Sequence, residues 1–363
     1  MPIPAPVIPS PLTALETGQW FKLICGASFQ HLPAVRSLAL VYTLAGADCI
    51  DVAADPAVVR AARQGIAAAQ ALSSRPLTPW LMVSLNDGED PHFRKASFDP
   101  NGCPPNCPRP CESVCPAQAI ALPTGVLTER CYGCGRCLPV CPIGHILTYA
   151  QTHASTQMGA LIAAGAVDAL EIHTQVGRIQ AFETLWQQLA PYAHHLRVLA
   201  ISCPDGENLV QYLRTILENL APLPCPLIWQ TDGRPMSGDI GDGTTRATVK
   251  LGQKVLGAKL PGYVQLAGGT NRHTVAKLKA FGMLRSVWVE PQRAPLDCDA
   301  SQAVAGHHPY VAGVAYGSYA RKLLGDLLEE LEAVSGAELE AVPRLLEAAV
   351  GRATALVSQL KSS

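Results

Sequence analysis

Short apolar runs alternate with segments whose apolar residues recur at helical spacing along most of the chain. Apolar runs of this length that are rich in β-branched side chains predict buried strands, and the longer periodic segments predict amphipathic helices. The predicted strands cover residues 21–27, 49–53, 80–85, 169–173, 197–202, 226–230, 263–267 and 311–315. The predicted helices cover 32–44, 57–72, 156–164, 179–189, 209–220, 245–256, 274–281 and 319–331.

These eight strand–helix repeats predict the fold class. Continuous apolar strands that alternate with helices are typical of parallel strands buried on both faces. Eight such units favour an α/β fold with a closed (β/α)8 barrel-like parallel sheet. An open, doubly wound sheet is the alternative that the same alternation permits.

The third strand and the fourth are separated by a cysteine-rich stretch, which predicts an insertion in the barrel. We expect a disordered, Pro-rich tail over residues 1–20, a barrel over 21–87 and 147–331, an inserted ferredoxin-like module over 88–146 and a C-terminal helical extension over 332–363. Loops that follow barrel strands lie at the C-terminal face, where barrel enzymes build their active sites. The insertion is therefore expected above the barrel mouth.

Charge and hydropathy exclude several classes of protein. The formal net charge is -1, from 28 basic and 29 acidic residues, and 6% of residues are aromatic. Such a chain offers neither a positive field nor a stacking platform for nucleic acid. Its apolar runs are shorter than a membrane span, and its first residues lack the pattern of a signal peptide. We expect a soluble, cytoplasmic protein.

Eight of the 13 cysteines lie between Cys103 and Cys141. Clustered cysteines in a reducing compartment are more often metal ligands than disulfides. Cys131, Cys134, Cys137 and Cys141 have the spacing C-x2-C-x2-C-x3-C-P, the bacterial ferredoxin pattern, in which the fourth cysteine binds the other cluster. A zinc site is the alternative. The remaining cysteines (Cys25, Cys49, Cys203, Cys225 and Cys298) are interpreted as small buried hydrophobic residues.

The upstream half ends in the matching C-x3-C-P pattern, but its first three cysteines are spaced C-x3-C-x3-C. Crossed ligation predicts two iron–sulfur clusters. Cluster 1 takes Cys103, Cys107, Cys111 and Cys141, and cluster 2 takes Cys115, Cys131, Cys134 and Cys137. Both are expected to be [4Fe–4S], with [3Fe–4S] as the alternative for cluster 1 because its loop spacing is unusual.

Glycines follow the seventh and eighth predicted strands. Gly268, Gly269, Gly317 and Ser318 form a candidate phosphate site for a flavin or a nucleotide, because barrels bind phosphate after these strands. The alternative is that these glycines only form the turns that follow the strands, where glycine is common. Glu171 and His173 lie two apart on the fourth strand and hence on one face. They are the candidate catalytic pair; hydrogen bonding within the barrel is the alternative.

On the stretches 21–28, 48–54, 103–141 and 266–271, the chain resembles the LdpA family, the light-dependent period proteins of cyanobacteria and plastids. The resemblance implies an iron–sulfur protein that reports the cellular redox state to the circadian clock, with clock proteins as partners. A quinone or another redox partner fits a sensor of this kind. The leading hypothesis is thus a redox sensor or electron carrier. The rival is a flavin- or nucleotide-phosphate-dependent barrel oxidoreductase that receives electrons from the clusters.

Overall fold

A computed structural model describes residues 10–88, 93–115, 117–150, 155–233, 245–285, 307–334 and 338–361. Eight parallel strands form a closed barrel in the order β1-β12-β11-β10-β9-β8-β3-β2. They are β1 (Trp20–Gly26), β2 (Cys49–Ala53), β3 (Trp80–Asn86), β8 (Ala169–His173), β9 (Val198–Pro204), β10 (Leu227–Asp232), β11 (Gly262–Ala267) and β12 (His307–Tyr316). The predicted barrel is confirmed, and the open sheet is excluded because each of the eight strands pairs with two neighbours, which leaves no edge strand.

Helices surround this barrel and bury one apolar face against it. They are α2 (Leu32–Leu44), α3 (Pro56–Leu72), α6 (Ser155–Ala163), α7 (Ile179–Leu189), α8 (Leu209–Leu220), α9 (Thr245–Gly257), α10 (Thr274–Ala280), α11 (Ser318–Lys322) and α12 (Gly325–Ala333). The eighth predicted helix is therefore two helices rather than one. Gly325 begins the second of them, and glycine is a weak helix former.

The barrel interior changes character along its axis. At the amino-terminal end the inward side chains form an apolar layer that includes Trp20, Trp80, Ile228 and Tyr263. Towards the carboxyl ends the inward positions are polar, because the same alternation brings Lys22, Asp51, Ser84, Glu171, His173, Ser202, Gln230, Asp232 and Gln265 inside, all of them buried. Polar chemistry is thus concentrated at the barrel mouth.

The tail predicted over residues 1–20 needs correction. Residues 1–9 lie outside the described residues, but α1 (Pro11–Glu16) is a helix that Ser10 caps through its side chain. Ala14 and Leu15 are fully buried, and Leu15 packs with Trp20 in the apolar layer. The proline signal was misleading here, because proline is well tolerated in the first turn of a helix.

The insertion leaves the barrel after β3 and returns before α6. It contains β4 (Arg94–Ser97), α4 (Pro110–Val114), β5 (Ile120–Ala121), β6 (Gly125–Val126), α5 (Cys137–Val140) and β7 (Leu147–Ala150). Because β7 pairs antiparallel with β4, residues 147–150 belong to the insertion and not to the barrel, where the predicted boundary had placed them. A small apolar core of its own includes Ala96, Ile120 and Ile146.

The C-terminal helical extension consists of one long helix, α13 (Pro343–Lys361), which a 3-10 turn over Leu339–Ala341 precedes. Helix α13 buries Leu345, Leu356 and Leu360 in the main core. Its last residue donates from Lys361 Nζ to Asp48 Oδ1 at 2.6 Å. Asp48 precedes β2, so the end of α13 is fixed to the barrel.

A glycine contact between α2 and α3 gives a first testable prediction. A Cβ atom on Gly65 would lie 2.2 Å from the carbonyl oxygen of Arg36. Gly65→Ala must therefore separate the two helices, and we expect it to lower the free energy of unfolding by about 1–3 kcal/mol. Urea denaturation checks this value.

Gly351→Ala is the matched control. Gly351 also lies inside a helix, but a Cβ atom there meets nothing within 4 Å. Alanine should stabilise that exposed position by roughly 0.5–1 kcal/mol because it favours the helical backbone. Equal effects of the two substitutions would contradict the close contact at Gly65.

Candidate functional site

The eight cysteines of the insertion surround two separate cavities. The first cavity is lined by Cys103, Cys107, Cys111 and Cys141, together with Phe98, Ile143 and His145. The second is lined by Cys115, Cys131, Cys134 and Cys137, together with Ala96, Ala119 and Tyr132. Each half of the insertion therefore places one cysteine, Cys115 or Cys141, in the cavity of the other half.

Backbone amides donate to the two exchanged cysteines in the same way. Ala119 N donates to Cys115 Sγ at 3.2 Å, and His145 N donates to Cys141 Sγ at 3.3 Å. In both cases the donor lies four residues after the cysteine, so the two halves repeat one local arrangement. Amides of this kind orient thiolates and stabilise their charge.

Strand β4 supports the second cavity. Ala96 N donates to Cys131 Sγ at 3.4 Å, and Lys95 Nζ donates to the carbonyl oxygens of Cys131, at 3.0 Å, and of Thr128. Lys95 is fully buried, and this burial lowers its pKa to about 8. These hydrogen bonds fix the loop that carries Cys131, and they place the Lys95 ammonium group inside the insertion.

This donor set fits iron–sulfur clusters. Each cavity offers four thiols in apolar surroundings, and four thiolates are the usual ligands of a [4Fe–4S] cluster. Gly133 and Gly135 adopt φ values of 70° and 75°, which let the backbone turn tightly around the second cavity. Within the described residues, no group of three or more His, Cys, Asp or Glu side chains is placed to hold a single metal ion.

Arg321 joins the second cavity to the barrel. Its guanidinium lies 4.4 Å from the centre of the Tyr132 ring and donates from Nη1 to Ile24 O at 2.9 Å. Gly26 and Gly317 lie beside it, and a Cβ atom on either would be in van der Waals contact with Arg321 Nη1, at 3.7 and 3.6 Å. The loop of Tyr132 is further fixed by a backbone hydrogen bond of 3.0 Å from Gln30 N to Glu129 O.

The barrel mouth contains a cavity of about 80 Å³ whose wall includes a cluster-ligand candidate. A cavity of this size holds several water molecules or one small organic molecule. Its lining comprises Ile24, Gly26, Ala27, Asp51, Ser84, Tyr132, Cys134, Glu171, His173, Gln230, Asp232, Gly268, Gly269, Thr270, Gly317, Ser318 and Arg321. Cys134 thus lines both this cavity and the second cysteine cavity.

A buried ionic network lies beneath the mouth cavity. Lys22 Nζ is fully buried, lies 3.1 Å from Asp51 Oδ2 and donates to Glu171. Glu171 Oε1 also lies 2.8 Å from His173 Nε2 and accepts from Gln230 Nε2 at 2.6 Å. Isolated charges at such positions are costly to bury, so their mutual pairing is what permits them.

The network shifts the pKa values of its two carboxyl groups in opposite directions. Burial raises the pKa of Asp51 to about 6, against the opposing effect of Lys22. Burial also acts to raise the pKa of Glu171, but the Lys22 ammonium and the hydrogen bond with His173 lower it to about 2. Groups whose pKa values are driven apart in one cavity are typical of functional sites.

The residues predicted for the barrel mouth occupy one cavity. Glu171 and His173 do point inward and contact each other, and Gly268, Gly269, Gly317 and Ser318 share their cavity. Asp205, which follows β9, does not line this cavity; it is exposed and pairs with Lys254 at 2.6 Å. Sequence reasoning missed Lys22, whose signal was a charged inward position in an otherwise apolar strand.

The scattered cysteines behave as the sequence interpretation predicts. Cys25, Cys49, Cys203 and Cys225 are all buried, and burial raises the pKa of Cys25 and Cys225 to about 12. Thiols with such pKa values are poor metal ligands and poor nucleophiles. Cys298 lies outside the described residues.

Known sequences identify the family. A curated protein of Synechococcus elongatus named "Light dependent period A" is 53% identical over 354 residues, which is 97% of this chain and 94% of that protein. The chain belongs to the light dependent period A family. Two family models agree: the "Light dependent period A C-terminal domain" matches residues 161–359, and the "LdpA Fe-S cluster-binding domain" matches residues 103–152.

The second of these matches begins at Cys103 and ends just beyond β7, so it contains all eight clustered cysteines but not β4. Among solved structures, a tryptophan synthase subunit alpha from Legionella pneumophila aligns with 11% identity and a TM-score of 0.42, over 99% of this chain and 100% of that one. No helix among the described residues has the length and hydropathy that a bilayer crossing requires.

Proposed function

We propose that this member of the LdpA family is an iron–sulfur redox sensor or electron carrier that links the cellular redox state to the circadian clock. The family and its cluster-binding domain support an iron–sulfur protein of the light-dependent clock. We propose in addition that the protein binds two clusters, each of which takes one cysteine ligand from the other half of the insertion. Its partners are clock proteins, with a quinone or another redox partner upstream, in a cyanobacterial cytoplasm.

One observation carries this proposal: the eight cysteines surround two cavities in sets of four that exchange Cys115 and Cys141. Cluster 1 is assigned to Cys103, Cys107, Cys111 and Cys141. Cluster 2 is assigned to Cys115, Cys131, Cys134 and Cys137. Bound clusters supply one-electron oxidation and reduction.

The surrounding residues set how such a module responds. Amides of Ala96, Ala119 and His145 stabilise thiolate charge, and Lys95 holds a buried cation beside Cys131. Arg321, stacked on Tyr132, transmits any movement of the second loop to the barrel. A change of charge at cluster 2 therefore acts on a contact that joins both parts of the molecule.

Anaerobic purification followed by iron and sulfide analysis tests the proposal. Two [4Fe–4S] clusters require eight irons per chain, and a [3Fe–4S] form at cluster 1 requires seven. Electron paramagnetic resonance (EPR) during a redox titration should then show reversible reduction of both centres. Zinc in place of iron, or centres that neither gain nor lose an electron, would overturn the redox function.

A barrel oxidoreductase is the second candidate, because Cys134 lines the same cavity as Glu171 and His173. The visible spectrum separates the two candidates. A flavin band beside the broad cluster absorption favours the enzyme, whereas clusters alone favour the sensor. The size of the mouth cavity, about 80 Å³, disfavours a flavin, since typical cofactor pockets measure about 300–1,000 Å³.

A further inference from the structure

The mouth cavity combines two chemically different ends. Its floor carries carboxylates that are already paired: Asp51 and Glu171 share Lys22, and Asp232 accepts from Ser202. Its rim carries Arg321, the only lysine or arginine among the described lining residues. A ligand that satisfies both ends needs donor groups towards the floor and an anion towards the rim.

Arg321 provides the strongest indication of an anion. It lines the cavity and forms no ion pair with any described carboxylate, so its positive charge is not balanced by an acidic side chain in that part of the chain. A guanidinium presents donors in a planar fork that matches a carboxylate. The guanidinium carbon lies 4.4 Å from the centre of the Tyr132 ring, which also lines the cavity, so Arg321 is held at the cavity wall.

The floor presents groups that recognise hydroxyls. Ser84 donates to Asp51 Oδ1 at 2.8 Å, so the Ser84 oxygen retains acceptor capacity towards the cavity. Glu171 and His173 lie beside it and can accept from, or donate to, one ligand hydroxyl. Because the cavity holds only about 80 Å³, the hydroxyl and the anion must lie within one small molecule.

We propose that the barrel mouth binds a small hydroxy acid, with its carboxylate on Arg321 and its hydroxyl groups over Ser84, Glu171 and His173. The bound molecule lies against Cys134, so its charge acts on cluster 2 and not on cluster 1. This electrostatic coupling rests on the proposed cluster ligation, whereas the binding itself rests on the barrel alone.

Calorimetry on the full chain, purified without air, tests the binding with four probes. Glycerate carries both the carboxylate and the hydroxyls, glycerol lacks the carboxylate, propionate lacks the hydroxyls, and glycerol 3-phosphate replaces the carboxylate by phosphate. Glycerate should bind at least about tenfold more tightly than each of the others. No heat with any probe, equal affinities, or tighter binding of glycerol 3-phosphate would overturn the assignment.

Arg321→Gln should abolish the preference for glycerate over glycerol, and Arg321→Lys should retain it. Arg352→Gln is the control, because Arg352 forms an exposed ion pair with Asp326 and does not line the mouth cavity. Intact absorption by both clusters shows that a variant still folds. If Arg321→Gln weakens glycerol and glycerate equally, the carboxylate does not contact Arg321.

EPR of the reduced protein tests the coupling separately. Glycerate should shift only the signal that Cys134→Ala removes. A shift of neither signal, or of both, would overturn the coupling. If the protein contains zinc instead of iron but still binds glycerate, the proposed redox function is wrong and the hydroxy-acid site is supported. If the protein contains both clusters but does not bind glycerate, only the hydroxy-acid site is wrong.

Discussion

Glu171→Gln is expected to lower the free energy of unfolding by about 3–5 kcal/mol, the usual cost of breaking a buried ion pair from one side. Glutamine preserves the volume of the side chain but leaves the fully buried Lys22 ammonium with Asp51 as its remaining carboxylate partner. Urea denaturation under anaerobic conditions, followed by circular dichroism, measures the loss.

Two controls distinguish charge pairing from packing. Lys22→Met combined with Glu171→Gln and Asp51→Asn should recover most of the lost stability, because the ammonium and both of its carboxylate partners are removed together. Asp326→Asn breaks an exposed pair with Arg352 and should cost less than about 1 kcal/mol. A triple variant that is less stable than Glu171→Gln would show that the ion pairs of Lys22 do not explain the effect.

The same pair predicts a dependence of stability on pH. The pKa of Glu171 is lowered to about 2 in the folded protein from an ordinary 4.5. Its contribution is therefore complete above pH 4.5 and is lost as the pH falls towards 2. Asp51, with a pKa raised to about 6, acts in the opposite direction, because its protonation in the folded state is favoured as the pH falls through 6.

Removal of one inner cysteine should cost one complete cluster. Cys134→Ala is expected to remove cluster 2, and Cys107→Ala to remove cluster 1, so the iron content of each variant falls by about half. In each variant the affected cavity would retain three thiolates, so one iron of its cluster would have no protein ligand. Iron analysis and EPR after anaerobic purification measure both losses.

Cys203→Ala is the matched control, because Cys203 is buried in the main core and lines neither cysteine cavity. It should keep the full iron content and both EPR signals. Loss of both clusters from Cys134→Ala or from Cys107→Ala alone would contradict two independently liganded centres.

The sequence predicted the barrel well because β/α alternation is a local pattern. The strand over 169–173 and the helices over 179–189 and 209–220 have the predicted bounds, since turn residues separate them from their neighbours. The first helix was missed because its prolines suggested disorder, while the burial of Leu15 depends on a barrel that closes only in three dimensions. The pairing of β7 with β4 is likewise a long-range contact without a local signal.

The candidate site was predictable only in part, for a related reason. Glu171 and His173 are two apart on one strand, so their shared face follows from the strand period. Lys22 and Arg321 come from β1 and from α11, and only the closure of the barrel brings them to the mouth. Cysteine spacing predicted which four cysteines line each cavity of the insertion, because a ferredoxin pattern carries its geometry within a short segment.

The exchange of Cys115 and Cys141 between the halves of the insertion is the central claim, and one set of EPR spectra tests it most directly. The spectrum of reduced Cys115→Ala should match that of Cys134→Ala, because both substitutions remove a ligand of cluster 2. The spectrum of Cys141→Ala should match that of Cys107→Ala. If Cys115→Ala instead matches Cys107→Ala, each half of the insertion holds its own cluster and the crossed assignment is wrong.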